Sequence, residues 1–266
     1  MSQEPKTRLS EQSQQRFGGI ARLYGTSALM QLHNSHLLII GIGGVGSWVA
    51  EALARSGVGA ITLMDLDDIC ITNTNRQVHA RQQTIGQSKT LVMQERLLSI
   101  NPEITVHRID DFLDQENLEQ HIQPSYSLVI DAIDSAMVKT HLISFCKSRK
   151  IPVLTIGSAG GKKDPQKITT GDLSKTVNDP LLAKVRNNLR RLHGFSRNPK
   201  RVFSIKAIYS TEQMTYPDNQ GETCQSKTFM EAGAKLDCNQ GFGAATMVTA
   251  SFGFVAASEA IKKLTT

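Results

Sequence analysis

The sequence predicts an α/β protein built on a Rossmann-like, doubly wound and mostly parallel sheet, and three observations carry that reading. Short apolar runs recur with helix-length segments between them, the pattern of strands joined by crossover helices. The first run ends in a glycine-rich turn, GIGGVG at 41–46. Acidic residues stand at or just past the ends of later runs, at Asp65, Asp131 and Asp134, on the sheet edge where such folds bind ligands.

The elements follow in order. Residues 1–15 are polar with no apolar face and read as a disordered or mobile N-terminal tail. A single domain then runs over 16–266. LLII at 37–40 is a buried parallel strand. A helix follows the glycines through Ala54 and stops near Gly57, and ITLMD at 61–65 is the second strand. From Ile85 to Ile100, Leu91, Leu97, Leu98 and Ile100 keep a helical pattern that Asn101-Pro102 closes. ITVHRI at 104–109 and YSLVID at 126–131 are the third and fourth strands. A helix over Ala136–Arg149 leads to a strand at 151–156. GSAGGKKDP at 157–165 is a turn, KITTGDL a strand leaving it, and a closing strand lies near 202–209. The uncharged stretch GFGAATMVTASFGFVAA at 241–257 is short for a membrane span and rich in small residues. It reads as a helix packed tightly within the fold or against a second subunit.

Composition narrows the function classes. A chain of 266 residues can bury a substantial core. Its net charge of +6 and pI near 9.2 favour a polyanionic partner. Cys70, Cys146, Cys224 and Cys238 form no CxxC pair, which argues against structural zinc and against a disulfide framework. The amino terminus has no apolar signal region. The expectation is a cytoplasmic protein without a membrane segment.

The chemistry lies in a dispersed set. Gly41, Gly43, Gly44 and Gly46 let backbone approach phosphates at a helix N-terminus. Asp65 is placed to accept hydrogen bonds from ribose hydroxyls, which suits ATP and NAD equally. NTNRQ at 73–77 discriminates better: Asn73 can bond phosphate or ribose, Arg76 offers a planar fork, and Gln77 can orient either group. An NAD site needs this arginine only for a 2′-phosphate, which Asp65 would repel. Lys89, in GQSK, can neutralise charge on departing pyrophosphate. Asp134, with Asp131 as the alternate, can hold Mg²⁺ between phosphates, or Asp134 can cap the helix at Ala136. The set reads as ATP held for adenylation of a carboxylate, with Arg76, Lys89 and Asp134 as catalytic residues. A basic segment over 181–206 carries Lys184, Arg186, Arg190, Arg191, Arg197, Lys200, Arg201 and Lys206 without an acid, a footprint that suits RNA phosphates.

These residues resemble the ubiquitin-activating-enzyme (E1-like) superfamily, with a match from about Arg16 to the carboxyl terminus. RFGGIARLYG at 16–25, GGKKDPQKI at 160–168, DPLLAKVR at 179–186 and CNQGFGAATMVTASFGFVA at 238–256 make the chain most similar to the tRNA-modifying branch. That resemblance implies an ATP- and Mg²⁺-dependent dehydration of N6-threonylcarbamoyladenosine (t6A) at position 37 of tRNA to cyclic t6A, through an acyl-adenylate. It also implies a homodimer, a link to a cysteine desulfurase and its sulfur acceptor, and room for a monovalent cation. Two departures stand out. The paired CxxC zinc motif of sulfur-carrier activators is missing. In the N-terminal R-Y-x-R-Q segment that supplies an arginine across the dimer, Arg16 is kept but Gly19 takes the second arginine's place, with Arg22 nearby. Cys224 and Cys238 read as idle thiols, since the reaction needs no enzyme nucleophile. The rival readings are an activator of a ubiquitin-like or sulfur-carrier protein, an NAD-dependent oxidoreductase, and an RNA-binding module with a vestigial nucleotide site.

Overall fold

The computed structural model describes residues 8–217, 222–224 and 242–266. Two helices open the chain, α1 (Glu11–Tyr24) and α2 (Thr26–His33). Then come β1 (His36–Ile40), α3 (Gly46–Arg55), β2 (Ala60–Met64), α4 (Lys89–Ile100), β3 (Thr105–Ile109), α5 (Leu118–His121), β4 (Leu128–Asp131), α6 (Ala136–Ser148) and β5 (Val153–Ile156). The rest is β6 (Ile168–Asp172), α7 (Pro180–Leu192), β7 (Lys206–Ser210), a small ladder of β8 (Tyr216–Pro217) with β9 (Thr223–Cys224), and α8 (Thr246–Thr265).

Seven strands form one sheet in the order β3-β2-β1-β4-β5-β7-β6, parallel throughout except for the antiparallel β6–β7 pair. The predicted doubly wound sheet is therefore present. Chain direction across the sheet reverses between β1 and β4, where Ile39 lies between Leu63 and Ile130. Such a switch point leaves a crevice at the carboxyl edge. Alternate residues of each strand feed opposite layers. Leu37 and Ile39 pack with α3, α4 and α8, while Leu38 and Ile40 pack with α6. Among the described residues no helix is long and apolar enough to cross a membrane.

The small residues of α8 serve the fold. Val248, Phe252, Ala256 and Ala260 are fully buried, and a Cβ on Gly253 would stand 2.6 Å from the Trp48 Cβ on α3. α8 also runs past the predicted end, to Thr265. Other boundaries moved for local reasons. α1 begins at Glu11, capped by Ser10, whose Oγ accepts the Ser13 N–H. The expected tail boundary at residue 15 thus falls inside a helix, and Leu9 packs with Phe17 and Leu29 ahead of it. The helix expected from Ile85 starts at Lys89 because Ser88 caps it and Gln82–Thr84 form a 3-10 turn instead.

His79, in the segment between β2 and α4, is fully buried, and neither ring nitrogen has a hydrogen-bond partner among the described residues. Burial, reinforced by the charges of Lys89, Arg96 and Arg81, pushes its pKa down to about 3.

Two outcomes follow. Gly253→Leu forces a branched side chain into the α3–α8 contact and should cost about 2 kcal/mol in urea unfolding; an unchanged midpoint would contradict the packing. The unfolded chain protonates His79 below about 6.5 and the folded chain does not until about 3. Stability should therefore fall with pH through that window, by up to about 1.4 kcal/mol per unit from this residue. A His79→Gln variant should show a shallower slope over the same window.

Candidate functional site

The crevice is built around the turn from β1 into α3. Gly41 has φ +88, and a Cβ there would lie 2.8 Å from the Ala132 carbonyl oxygen. A Cβ on Gly46 would lie 1.9 Å from the Gly41 oxygen. Only glycine lets the turn close between the ends of β1 and β4 and present the first amides of α3. Asp65, one residue past β2, grips this turn: its Oδ2 accepts the Ile42 N–H at 2.6 Å and its Oδ1 the Asp67 N–H at 2.9 Å. Burial pushes the Asp65 carboxyl up, against the pull of nearby Lys89 and of the two amides. Lys89 Nζ lies 2.6 Å from Asp67 Oδ2 and 3.7 Å from Asp65 Oδ1. The first turn of α4 is pinned there by the Lys89 N–H, which donates to the Asp67 carbonyl oxygen at 3.1 Å. Asp67 is thus the partner of Lys89.

NTNRQ folds over the glycines. Asn73 is buried and its Oδ1 accepts the Cys70 N–H at 3.0 Å, while its carbonyl accepts the amides of Arg76 and Gln77. The Arg76 side chain lies against Gly44, whose Cβ position is 3.3 Å from Arg76 Cγ. One guanidinium nitrogen donates to the Thr72 carbonyl at 2.6 Å and to Asn75 Oδ1 at 3.0 Å. Gln77 reaches the Gly43 side, and its buried Oε1 has no partner among the described residues. The backbone of this loop is held from far along the chain. The Arg76 carbonyl accepts from Trp48 Nε1 and Thr249 Oγ1, the Asn75 carbonyl accepts from Thr246 Oγ1, and Asn75 Nδ2 donates to the Ala244 carbonyl.

At the end of β4 two aspartates divide. Asp131 is fully buried, with Lys139 Nζ at 2.8 Å from Oδ1 and the Thr155 hydroxyl donating to Oδ2 at 2.7 Å. Both of its carboxylate oxygens are thereby engaged within the fold, unlike those of Asp134. Asp134 is exposed and makes no ion pair or hydrogen bond among the described residues. It does not cap α6, because Ser135 occupies that position. The glycines, Asp65, Arg76, Gln77 and Lys89 therefore gather at one turn, with Asp134 beside it. Among the described residues no three His, Cys, Asp or Glu side chains form a ready metal cluster.

Sequence reasoning missed several supports. A Cβ on Gly157 would collide with Asp179 Oδ2, at 2.0 Å, and that oxygen accepts the Ser158 N–H at 2.9 Å while Oδ1 caps α7 through the Leu182 N–H. Burial pushes the Asp179 carboxyl up, opposed by those amides and by Lys162. Lys162 is itself buried, donating to the carbonyls of Asn178 and Glu212. The one sign of these supports in the sequence was the run of glycines at 157–161.

The basic segment separates into two groups. α7 buries Leu182, Val185 and Leu189. Arg186 is half-buried and donates to the Thr176 hydroxyl, and Arg190 lies over the Phe203 ring. Lys206 pairs with Glu259 at 3.3 Å. Lys184, Arg191, Arg197, Lys200 and Arg201 are exposed. Arg16 donates to the Ile100 carbonyl at 3.0 Å, closing the end of α4. Burial pushes the Cys146 thiol up to about 12. Cys238 lies outside the described residues.

Comparison with known proteins places this geometry. The chain is 55% identical over 251 residues to the tRNA threonylcarbamoyladenosine dehydratase of Haemophilus influenzae, covering 94% of each chain. It is 51% identical over 256 residues to the protein of that name in Escherichia coli, covering 96% of each. The solved structure of the E. coli tRNA N6-threonylcarbamoyladenosine dehydratase in complex with ATP matches with TM-score 0.86 and 48% identity over 97% of each chain, and the complex with AMP matches equally. The profile of the ThiF family covers residues 18–266, and with that match over nearly its whole length the chain belongs to the ThiF family.

Proposed function

We propose that the protein is an ATP-dependent tRNA-modifying enzyme that removes one water from t6A at position 37 of tRNA and closes it to cyclic t6A. The observation that carries this is the convergence of Arg76, Gln77 and Lys89 on the glycine turn that Asp65 grips. Relatives at 51% and 55% identity bear the name of that activity, and the matching solved structures hold ATP and AMP. A dinucleotide's pyrophosphate needs less cationic charge at this turn than a triphosphate does.

ATP is the substrate. Its ribose hydroxyls meet Asp65, and its phosphates lie over the amides at the start of α3, between Arg76 and Lys89. The unpartnered Gln77 oxygen and the spare amide of Asn73 supply further polar contacts. The free carboxylate of the threonine moiety attacks the α-phosphorus, and the bond to the bridging oxygen breaks as pyrophosphate leaves. Arg76 and Lys89 hold the charge that develops on the phosphate oxygens. An atom of the carbamoyl group then attacks the activated carbonyl carbon and AMP departs with the carboxylate oxygen, so t6A loses one water overall. The exposed Asp134 carboxylate beside the turn would hold a Mg²⁺ ion, which would supply charge neutralisation there. The exposed cations of 184–201 receive tRNA phosphates. The apolar Met247 and Phe254 on the outer side of α8 suit a second copy of the chain. A cysteine desulfurase with its sulfur acceptor is proposed as a partner on the resemblance alone.

The decisive experiment incubates the protein with t6A-containing tRNA and Mg·ATP, digests the RNA and weighs the nucleosides. A product one water lighter, with AMP formed, is expected; unchanged t6A would refute the proposal. Arg76→Ala, Lys89→Ala and Asp134→Ala should each lower kcat by about a hundredfold or more. Replacing Arg197, Lys200 and Arg201 together by alanine should weaken tRNA binding and reduce the slope of log K against log salt by about 2, leaving ATP affinity unchanged.

A further inference from the structure

A cleft of about 450 Å³ opens between the first turns of α7 and the segment that follows β7. Its apolar floor is formed by Ala183, Met214 and Tyr216, and its rim carries Lys184, Arg186 and Gln213. Met214 and Tyr216 are buried, while Lys184 and Gln213 are exposed. Among the described residues, the one carboxylate in its wall is Asp179, whose oxygens are occupied by the Ser158 and Leu182 amides. An apolar floor with an aromatic ring beneath a cationic rim is the pattern that takes an unstacked base and its phosphate from single-stranded RNA.

The position of the cleft is as informative as its lining. Asp179 ties α7 to Gly157 and Ser158 at the carboxyl end of β5, and Gln213 follows the carboxyl end of β7. The cleft therefore opens on the same sheet edge as the glycine turn and Asp134. β7 is two strands from β4, about 10 Å at normal strand spacing, which is comparable to the length of a purine carrying a threonylcarbamoyl arm.

We infer that this cleft seats the target nucleoside of the anticodon loop, with its base on the Met214–Tyr216 floor, its phosphate at Lys184 and Arg186, and its carboxylate arm directed along the sheet edge toward ATP. The inference rests on the function proposed above. It separates a recognition cleft from the wider basic surface, which carries RNA without reading a base.

Filling the cleft tests this. Binding of an anticodon stem-loop bearing t6A, and of the same loop with plain adenosine, is measured by fluorescence anisotropy for wild type and Ala183→Trp, together with ATP affinity. The wild type should prefer the t6A loop. Ala183→Trp should abolish that preference and weaken t6A-loop binding by about tenfold, with ATP affinity within about twofold. Equal discrimination by wild type and variant would overturn the inference. If Ala183→Trp loses ATP binding through misfolding, the surface double variant Lys184→Glu/Gln213→Ala is judged by the same two readouts. Displacement of a peptide ending in Gly-Gly by the tryptophan, with the RNA untouched, would assign the cleft to protein and also overturn it. Failure of the proposed function has a different signature, unchanged t6A with wild-type enzyme, and the binding measurement does not depend on turnover.

Discussion

The crevice depends on one buried ion pair. Asp131 and Lys139 meet in the middle of the sheet with neither side chain touching solvent. Burying two charges is costly unless every polar atom finds a partner. Here the Thr155 hydroxyl and the Ile133 amide complete the carboxylate, and the ammonium also reaches the Asp131 carbonyl and the Thr155 oxygen. The pair thereby locks β4, β5 and α6 together where the strand order reverses. It also fixes the path of residues 132–135, against which Gly41 closes. The position of the glycine turn and that of Asp134 both follow from it.

Electrostatics across the crevice are arranged as exchangeable pairs. Lys89 is neutralised by Asp67 and, more distantly, by Asp65. Arg76 rests on the Thr72 carbonyl and Asn75 side chain. In the proposed reaction a triphosphate entering the turn would compete with these partners, so its arrival would redistribute hydrogen bonds instead of creating them all anew.

Much of this was legible in the sequence because the signals are local. The core strands β1, β2, β4 and β5 are apolar runs of a length that only a buried parallel strand explains, and the glycines follow the first of them directly. Helix starts were less legible: Ser88 and Ser10 look like any other serine until the chain around them turns. Asp65, Arg76, Gln77 and Lys89 could be proposed because a carboxylate suits ribose hydroxyls while cations and an amide suit phosphates. Their supports could not. Asp179 against Gly157, Lys139 under Asp131 and Trp48 on the Arg76 carbonyl are contacts between distant segments, and no spacing rule announces them. The basic segment misled in part, since Arg190 lies over the Phe203 ring and Lys206 pairs with Glu259.

The NTNRQ loop is anchored by α8 and the residues just ahead of it. Thr246 and Thr249 hold the carbonyls of Asn75 and Arg76, and α8 covers α3 through Gly253. During synthesis the β1–β4 region leaves the ribosome first, and its sheet can begin to form. The arginine loop acquires its anchors only once α8 has formed against it. Until then the glycine turn stands without the anchored loop to which the proposed function assigns the phosphates.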